Sequence, residues 1–358
     1  MISGFNGTME KNPPPAPPIM KNICLIVVLV FILSLSGCSK TPVYESFTGF
    51  AQGTTYSMVF ESTGRYSAVG LKSEVEKILH NFDLSLSLYQ DSSILSMVNR
   101  NEDVVTDFYF TEAFNKSVRI SELTDGAFDV TVGPLVKAWG FGPDSHKNFT
   151  ESKRDSLLRL VGMDKIRLRD RRLIKDDPRI MLDFNAIAQG YSVDVISNYF
   201  NSLGIKSFLV EIGGEVRVRG DKGGVLWRIG IDRPSENNML PGNDLQAIIS
   251  LKDRSLATSG NYRKFFVENG IKYSHTIDPR TGYPARNQLL SATIIADSCA
   301  TADGIATACM VMGKDKSIEF IGFHPEFEAF LVFSDESGNF ITWTSENLKN
   351  YISESGGE

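Results

Sequence analysis

The sequence predicts an α+β protein, a single fold of mixed sheets with packed helices, and three observations carry that expectation. Strand-like and helix-like runs follow one another without the strand–helix–strand rhythm of a parallel sheet. At 42% hydrophobic and 10% aromatic residues, the composition is that of a chain that builds a core. No internal repeat or low-complexity tract interrupts the body, so one unit over residues 48–350 is expected.

Each element has its own signal. Residues 47–60 alternate well enough for strands on either side of Gly53-Thr54-Thr55-Tyr56. Leu71, Val75, Ile78, Leu79 and Phe82 recur at helical spacing and mark an amphipathic helix. A second helix is predicted over 110–123, stopped by Thr124-Asp125-Gly126. Residues 166–168 and 172–175 pair as strands around a charged turn. A strand over 180–183 then feeds a helix starting near Ala186, with Val193, Ile196, Phe200 and Leu203 on one face. Short strands follow at 208–212, 216–219 and 227–231, and 235–243 is a polar surface loop containing Pro and Gly. A strand over 246–251 precedes a glycine turn at Ser259-Gly260-Asn261-Tyr262. The last helix spans 301–312, and strands near 329–333 and 340–342 close the chain.

Ahead of this body, Met20-Lys21-Asn22 precedes an apolar run from residue 23 to residue 35. A basic start, a short apolar run and a small-residue cleavage site make a secretory signal. The run is roughly 13 residues, short of the ~20 that a bilayer-spanning helix needs. It ends in Leu35-Ser36-Gly37-Cys38, which resembles the bacterial lipobox. That resemblance implies a diacylated Cys38 as the mature N-terminus; an ordinary signal-region cysteine is the alternative. On this reading 1–37 is leader and lipoprotein signal peptide, with 1–19 an upstream leader, and 38–47 is a lipidated tether. The protein then sits lipid-anchored on the periplasmic side of the cell membrane, the inner membrane favoured over the outer, each buried acyl CH₂ contributing ~0.8 kcal/mol.

A net charge of −6 speaks against a nucleic-acid binder, which would be basic. Of the four cysteines, Cys24 and Cys38 lie in the signal region and Cys299 and Cys309 in the body. If 299–309 is one helix, its cysteines stand ~15 Å apart, too far for a disulfide. The body is packed rather than stapled.

Three constellations can carry chemistry. In Asp303-Gly304-Ile305-Ala306-Thr307, residues four apart on a helix present a carboxylate and a hydroxyl to one spot. Such hard oxygens suit Mg²⁺, which takes few protein ligands; an Asp serving the helix dipole beside a core Thr fits the pair as well. In Leu182-Asp183-Phe184-Asn185-Ala186-Ile187-Ala188-Gln189-Gly190-Tyr191, a strand end meets a helix start and aims a carboxylate and backbone amides at a ligand. Asp183 as a plain N-cap is the other reading. In the third, His275 precedes the turn Asp278-Pro279-Arg280-Thr281-Gly282, a place for an acid/base or for a satisfied surface histidine. The stretch Asp125-Gly126-Ala127-Phe128-Asp129, with Gly133-Pro134 and Trp139-Gly140-Phe141-Gly142, adds a surface suited to a planar ring, or simply core aromatics.

Together these pieces resemble the ApbE family, the bacterial periplasmic FAD:protein FMN transferases. The motifs run in order from Gly53 to about Phe333: Gly53-Thr54-Thr55-Tyr56, Tyr89 with Asp91-Ser92, 125–142, 183–191, Glu211-Ile212-Gly213-Gly214, Ser259-Gly260, 275–282 and 303–307. The resemblance implies an Mg²⁺-dependent enzyme that takes FAD as substrate. FMN passes to a Thr or Ser hydroxyl of an acceptor protein and AMP is released. It implies Asp303 and Thr307 as metal ligands, Ala186 through its backbone carbonyl, and Ala306 where some relatives carry a second Asp. Gln52, Tyr89, Ala127, Phe128, Asp129, Asp183, Gln189 and Ile277 fall at positions that contact FAD. Two departures stand out: Gln52 replaces a common Met, and Gln189 replaces the usual Lys or Glu.

The implied acceptor is a subunit of a membrane redox complex, of the Na⁺-translocating NADH:quinone oxidoreductase or Rnf type. His275 is the candidate base and, with Asp303, the expected catalytic pair. A metal-dependent FAD pyrophosphatase and a non-enzymatic flavin-binding lipoprotein are the competing readings, and the Asp303/Thr307 pair argues against the latter. Cys299, with no basic neighbour in sequence, reads as a core cysteine rather than a nucleophile.

Overall fold

A computed structural model of the chain describes residues 41–141, 150–235, 242–261, 265–268 and 271–354, together with Asn12 and Asn238. The signal region, Cys38, Gly142 and His146 lie outside the described residues. The body forms one compact unit, Val43–Glu358. Among the described residues no helix is long and apolar enough to cross a membrane.

The body opens with a hairpin, β1 (Tyr44–Ala51) and β2 (Thr54–Glu61), followed by α1 (Ala68–Leu86), α2 (Ile94–Asn99) and α3 (Phe108–Leu123). A 3-10 turn, Val130–Val132, runs into α4 (Gly133–Ala138). Then come α5 (Glu151–Leu158), the small hairpin β3 (Ile166–Arg169) and β4 (Arg172–Lys175), and α6 (Ala188–Ser202). Strands β5 (Phe208–Ile212), β6 (Glu215–Arg219), β7 (Trp227–Asp232), β8 (Leu245–Leu251) and β9 (Ser255–Gly260) follow. A second small hairpin, β10 (Phe265–Glu268) and β11 (Ile271–Ser274), leads to β12 (Leu289–Ala296), α7 (Cys299–Met312) and α8 (Lys314–Phe323). Strands β13 (Glu328–Ser334), β14 (Phe340–Thr344) and β15 (Ile352–Glu354) complete the order.

The α+β expectation holds. The main sheet has eight strands in the order β1-β2-β5-β6-β9-β12-β13-β14, every pair antiparallel. Its strands β12 and β13 are buried on both faces, which is why they read as continuous apolar runs rather than alternation. Ile294, Ala329, Leu331 and Phe333 face the helices, while Ile295, Phe330 and Val332 face the three-stranded sheet β15-β8-β7. The sheet is therefore the middle layer. Its two halves meet at a narrow seam: β6 and β9 share only the pairs Val216↔Leu256 and Arg217↔Ser255.

Helix α6 packs on the β5 and β6 side of that seam and α7 on the β9 and β12 side. Both helices are largely buried, and α7 is apolar nearly all round, as a helix inside a core must be. Gly313, at φ 77°, ends α7 in a conformation that glycine adopts freely.

Several expectations need correction. Residues 180–183 belong to no strand; side-chain and loop hydrogen bonds hold them instead. Ser259 and Gly260 end strand β9 rather than forming a turn. The short helices α2, α4 and α5, helix α8 and the hairpin β10–β11 were not anticipated, most being too brief for periodicity to register.

Candidate active site

The best-defined polar geometry lies where α6 and α7 cross. Helix α6 begins without a cap of its own, because Ile187 at the N-cap position has no side-chain acceptor. The missing acceptor comes from the neighbouring helix: the Gly190 amide donates to Asp303 Oδ2 at 3.0 Å. Helix α7 is capped by Ser298, which accepts from the Thr301 amide. It is capped a second time by Asp194 of α6, whose carboxylate accepts from the Cys299 amide at 2.9 Å and the Ala300 amide at 3.0 Å. Each helix thus supplies a carboxylate to the other's free N-terminal amides, the groups that a helix leaves unsatisfied. The approach is close enough to require Gly190: a Cβ there would stand 2.4 Å from the Cys299 carbonyl oxygen and 2.8 Å from Asp303 Cβ.

Asp303 is buried, and burial pushes its carboxyl up to about 7, the Gly190 amide pulling the other way. Its second oxygen takes no hydrogen bond among the described residues. One turn on, Thr307 Oγ1 lies 3.2 Å from Ser259 Oγ on β9. Ala306 is fully buried and offers no side-chain oxygen, and Ala186 offers a ligand only its backbone. Cys299 is the first residue of α7, buried and free, its thiol pushed well up by burial. The core reading of that cysteine holds.

Asp183 is buried and its carboxyl is raised by desolvation, against the Asn185 amide that donates to Oδ1 at 2.8 Å. It caps a local turn, not α6, so the N-cap alternative fails. Asn99 of α2 fixes the stretch before it from both sides: Nδ2 donates to the Leu182 carbonyl and Oδ1 accepts from the Leu182 amide. The Asp183 amide reaches the Val130 carbonyl at 2.7 Å. These bonds substitute for the missing strand partner.

Gln52 and Gln189 are brought together. Gln52 and Gly53 form the two-residue turn between β1 and β2 at φ 53° and 73°, both in the left-handed region, as a type I′ hairpin requires. Ser192 bridges the two glutamines, its hydroxyl lying 3.2 Å from Gln52 Oε1 and 2.7 Å from the Gln189 carbonyl. The Gln189 side chain lies over Gly213, where a Cβ would meet Nε2 at 2.0 Å. Next to Gln52 a cleft of about 290 Å³ is lined by Phe50, Ala51, Glu76, Leu79, His80 and Asp83. Tyr89 is 70% exposed and available to a ligand.

The other predicted residues sit differently. Ala127 and Phe128 are core residues, Phe128 packing beneath Gly304, so only their backbone can face a ligand. Asp129 spends Oδ1 on the Thr131 amide and hydroxyl, capping the 3-10 turn. Ile277 is buried with Leu135 and Val161. Half-buried His275 has its ring 6.4 Å from that of Phe141. The turn behind it is braced by the Asp278–Arg280 ion pair and by Trp139 Nε1 donating to the Gly282 carbonyl. Sequence reasoning missed Asp194 and Asn99. Asp194 shares a helix face with Gly190, four residues before it, but nothing near it in sequence signals its partners.

The oxygen donors fit a hard divalent cation better than a thiophilic one: a buried carboxylate, a hydroxyl on the next turn and a backbone carbonyl nearby in sequence. Among the described residues no cluster of three His, Cys, Asp or Glu forms, so a cation here would complete its shell with water and substrate oxygens.

The frame is an α+β fold whose crossing helices bury two carboxylates, Asp194 and Asp303, against the main sheet. The chain belongs to the ApbE family, whose model matches residues 52–331. It is 34% identical over 335 residues to the FAD:protein FMN transferase of Vibrio cholerae, covering 92% of this chain and 98% of that protein. The corresponding transferase of Haemophilus influenzae is 35% identical over 342 residues, with 92% and 97% covered. The solved flavin transferase ApbE from Vibrio cholerae has a TM-score of 0.77 and 33% identity, over 87% of this chain and 99% of that one.

Proposed function

We propose that this enzyme transfers FMN from FAD to a Thr or Ser hydroxyl of an acceptor protein in an Mg²⁺-dependent reaction. The acceptor oxygen bonds to the FMN phosphorus, the pyrophosphate P–O bond to AMP breaks, and the hydroxyl proton leaves. The observation that carries this is the Asp303–Gly190 bond, which fixes a buried carboxylate with one oxygen uncommitted, a turn away from Thr307. Asp303 and Thr307 would hold Mg²⁺, with the Ala186 carbonyl; Ala306 gives no side-chain donor. Bound there, the metal would neutralise charge developing on the phosphate oxygens.

The chain's own residues orient the rest. Asp183 and Tyr89 contact FAD from the turn before α6 and from the loop after α1. Gln52 and Gln189 do so from their shared place around Ser192. Ala127, Phe128 and Asp129 contribute backbone, and Ile277 underlies the turn that carries His275. His275 takes the acceptor proton on its imidazole, held by the braced turn. Positioning and electrostatics supply most of the acceleration.

Residues 1–37 serve as leader and signal, and acylated Cys38 tethers the 48–350 domain to the periplasmic face of the cell membrane, inner rather than outer. That confinement raises the effective concentration of a membrane-bound acceptor, here a subunit of a redox complex of the Na⁺-translocating NADH:quinone oxidoreductase or Rnf type.

Incubating the enzyme with FAD, Mg²⁺ and a Thr-containing acceptor domain tests the reading. Flavin fluorescence should stay on the acceptor through a denaturing gel, with a mass gain of one FMN and release of AMP. Free FMN with AMP and an unmodified acceptor would make the enzyme a pyrophosphatase. Intact FAD released by detergent would make it a carrier.

A further inference from the structure

We propose that Asp194 is the positioning residue of the metal site: from α6 it sets the register of α7 and thereby places Asp303 and Thr307. The proposal rests on the reading of those two residues as metal ligands. Asp194 is buried, and its carboxylate accepts bonds from the Cys299 and Ala300 amides, the Ser298 hydroxyl at 2.7 Å and Arg217 Nη1 at 3.2 Å. A buried carboxylate so completely satisfied is rigid; removing a partner leaves a costly unpaired group.

The spacing gives this rigidity a direction. Gly190 and Asp194 are four apart on one face of α6, and Cys299 and Asp303 are four apart on one face of α7. Residue 190 meets 303 and residue 194 meets 299, so the helices run antiparallel and are tied at two points along the crossing. One tie would let α7 rotate or slide about it. Two ties fix both motions. The ties also span the seam of the main sheet, and Arg217 belongs to β6 while bonding to Ser255 of β9 and to the Asp297 carbonyl. Ser298 accepts only the Thr301 amide, so the Cys299 and Ala300 amides rely on Asp194, and α7 cannot shift against α6 without leaving them unpaired.

Asp194→Asn keeps the size of the side chain but turns one acceptor into a donor facing an amide or hydroxyl. Mn²⁺ titration of the FAD-free enzyme should show about 10- to 100-fold weaker binding, the range expected when the residues that orient a metal's ligands are lost. Amide exchange over residues 299–303 should accelerate in the metal-free variant, and turnover should recover toward wild type at saturating Mg²⁺. Ser317→Ala is the control, because Ser317 bonds the Cys309 carbonyl at the far end of α7. It should cost stability without changing Mn²⁺ affinity. Should Asp194→Asn not fold, Ser298→Ala, which removes one Asp194 contact, serves for the same titration. Wild-type Mn²⁺ affinity in a folded Asp194→Asn, or an equal loss in Ser317→Ala, would overturn the proposal. A wild-type enzyme that binds no Mn²⁺ or Mg²⁺ removes the ligand assignment itself; faster exchange over 299–303 in the variant would then show that Asp194 seats the helix with no metal to place.

Discussion

Gly190→Ala is the most economical test of the helix crossing, because it adds one carbon at its tightest point. That Cβ would sit 2.4 Å from the Cys299 carbonyl oxygen and 2.8 Å from both the Cys299 carbonyl carbon and Asp303 Cβ. Two of these atoms are backbone and cannot rotate away, so α6 and α7 must part by roughly 1 Å to restore ordinary contact. Overpacking of this kind costs ~1–3 kcal/mol. Stretching the Gly190 amide's bond to a carboxylate puts a further ~1.5–3 kcal/mol at risk. Against this, Ala gains up to ~1 kcal/mol over Gly in a helix interior. The net loss is about 1.5–5 kcal/mol, or a Tm lower by ~2–8 °C for a domain of about 300 residues. Transfer activity should fall with it, since the displaced helix carries Asp303. Melting curves with and without Mg²⁺, beside a labelling assay, measure both effects. A variant with wild-type Tm and wild-type labelling would show that the crossing tolerates a methyl group, and the reasoning from close approach would fail.

The remaining predictions concern charge, binding and proton transfer. Burial holds the Asp303 pKa at about 7, above its ordinary 3.8, so its stabilising contribution is complete below the lower value and lost as pH rises through the upper. The metal-free enzyme should therefore melt lower near pH ~8 than near pH ~6, and Asp303→Asn should flatten that slope; an unchanged slope would assign it to another group. Thr307→Val keeps shape but removes the hydroxyl, and should raise the Mg²⁺ needed for half-maximal labelling; an unaltered Mg²⁺ curve would take Thr307 out of the site. Tyr89→Ala and Asp183→Asn should each weaken FAD binding followed by tryptophan quenching, and unchanged affinity in both would place the flavin elsewhere. His275→Asn should slow acceptor labelling by ~10²–10⁴ while FAD affinity stays near wild type. Wild-type labelling rates there would remove the histidine from proton transfer.

Much of the architecture was legible because its elements are long and their periods clear. The Leu71–Val75–Leu79–Phe82 stripe is the buried face of α1, and both strands of the first hairpin lie where alternation put them. The stretch at 180–183 misled, because apolar residues pinned by Asn99 look in sequence like residues pinned by a neighbouring strand. For Phe128 the core reading holds over the ring platform, since it fills the space under Gly304. Within the site, helical spacing put Asp303 and Thr307 on one face, but their reading as metal ligands came from the resemblance to the ApbE family. Asp194 had neither signal, because its partners come from a segment more than a hundred residues away in the chain. Neither helix announces in its own sequence that it caps the other.

The narrow seam between β6 and β9 has a consequence for how the molecule comes apart. Strand ladders elsewhere in the main sheet run for at least five residue pairs, yet this one has two. Two blocks of strands in the main sheet, β1-β2-β5-β6 and β9-β12-β13-β14, are thereby joined mainly by the side chains of a shared core and by the crossing helices rather than by backbone. Opening should begin along that fault line, before either block loses its own strands. Native-state hydrogen exchange should then report two sets of protected amides with different opening free energies. A ligand gripping both α6 and α7 would merge them into one.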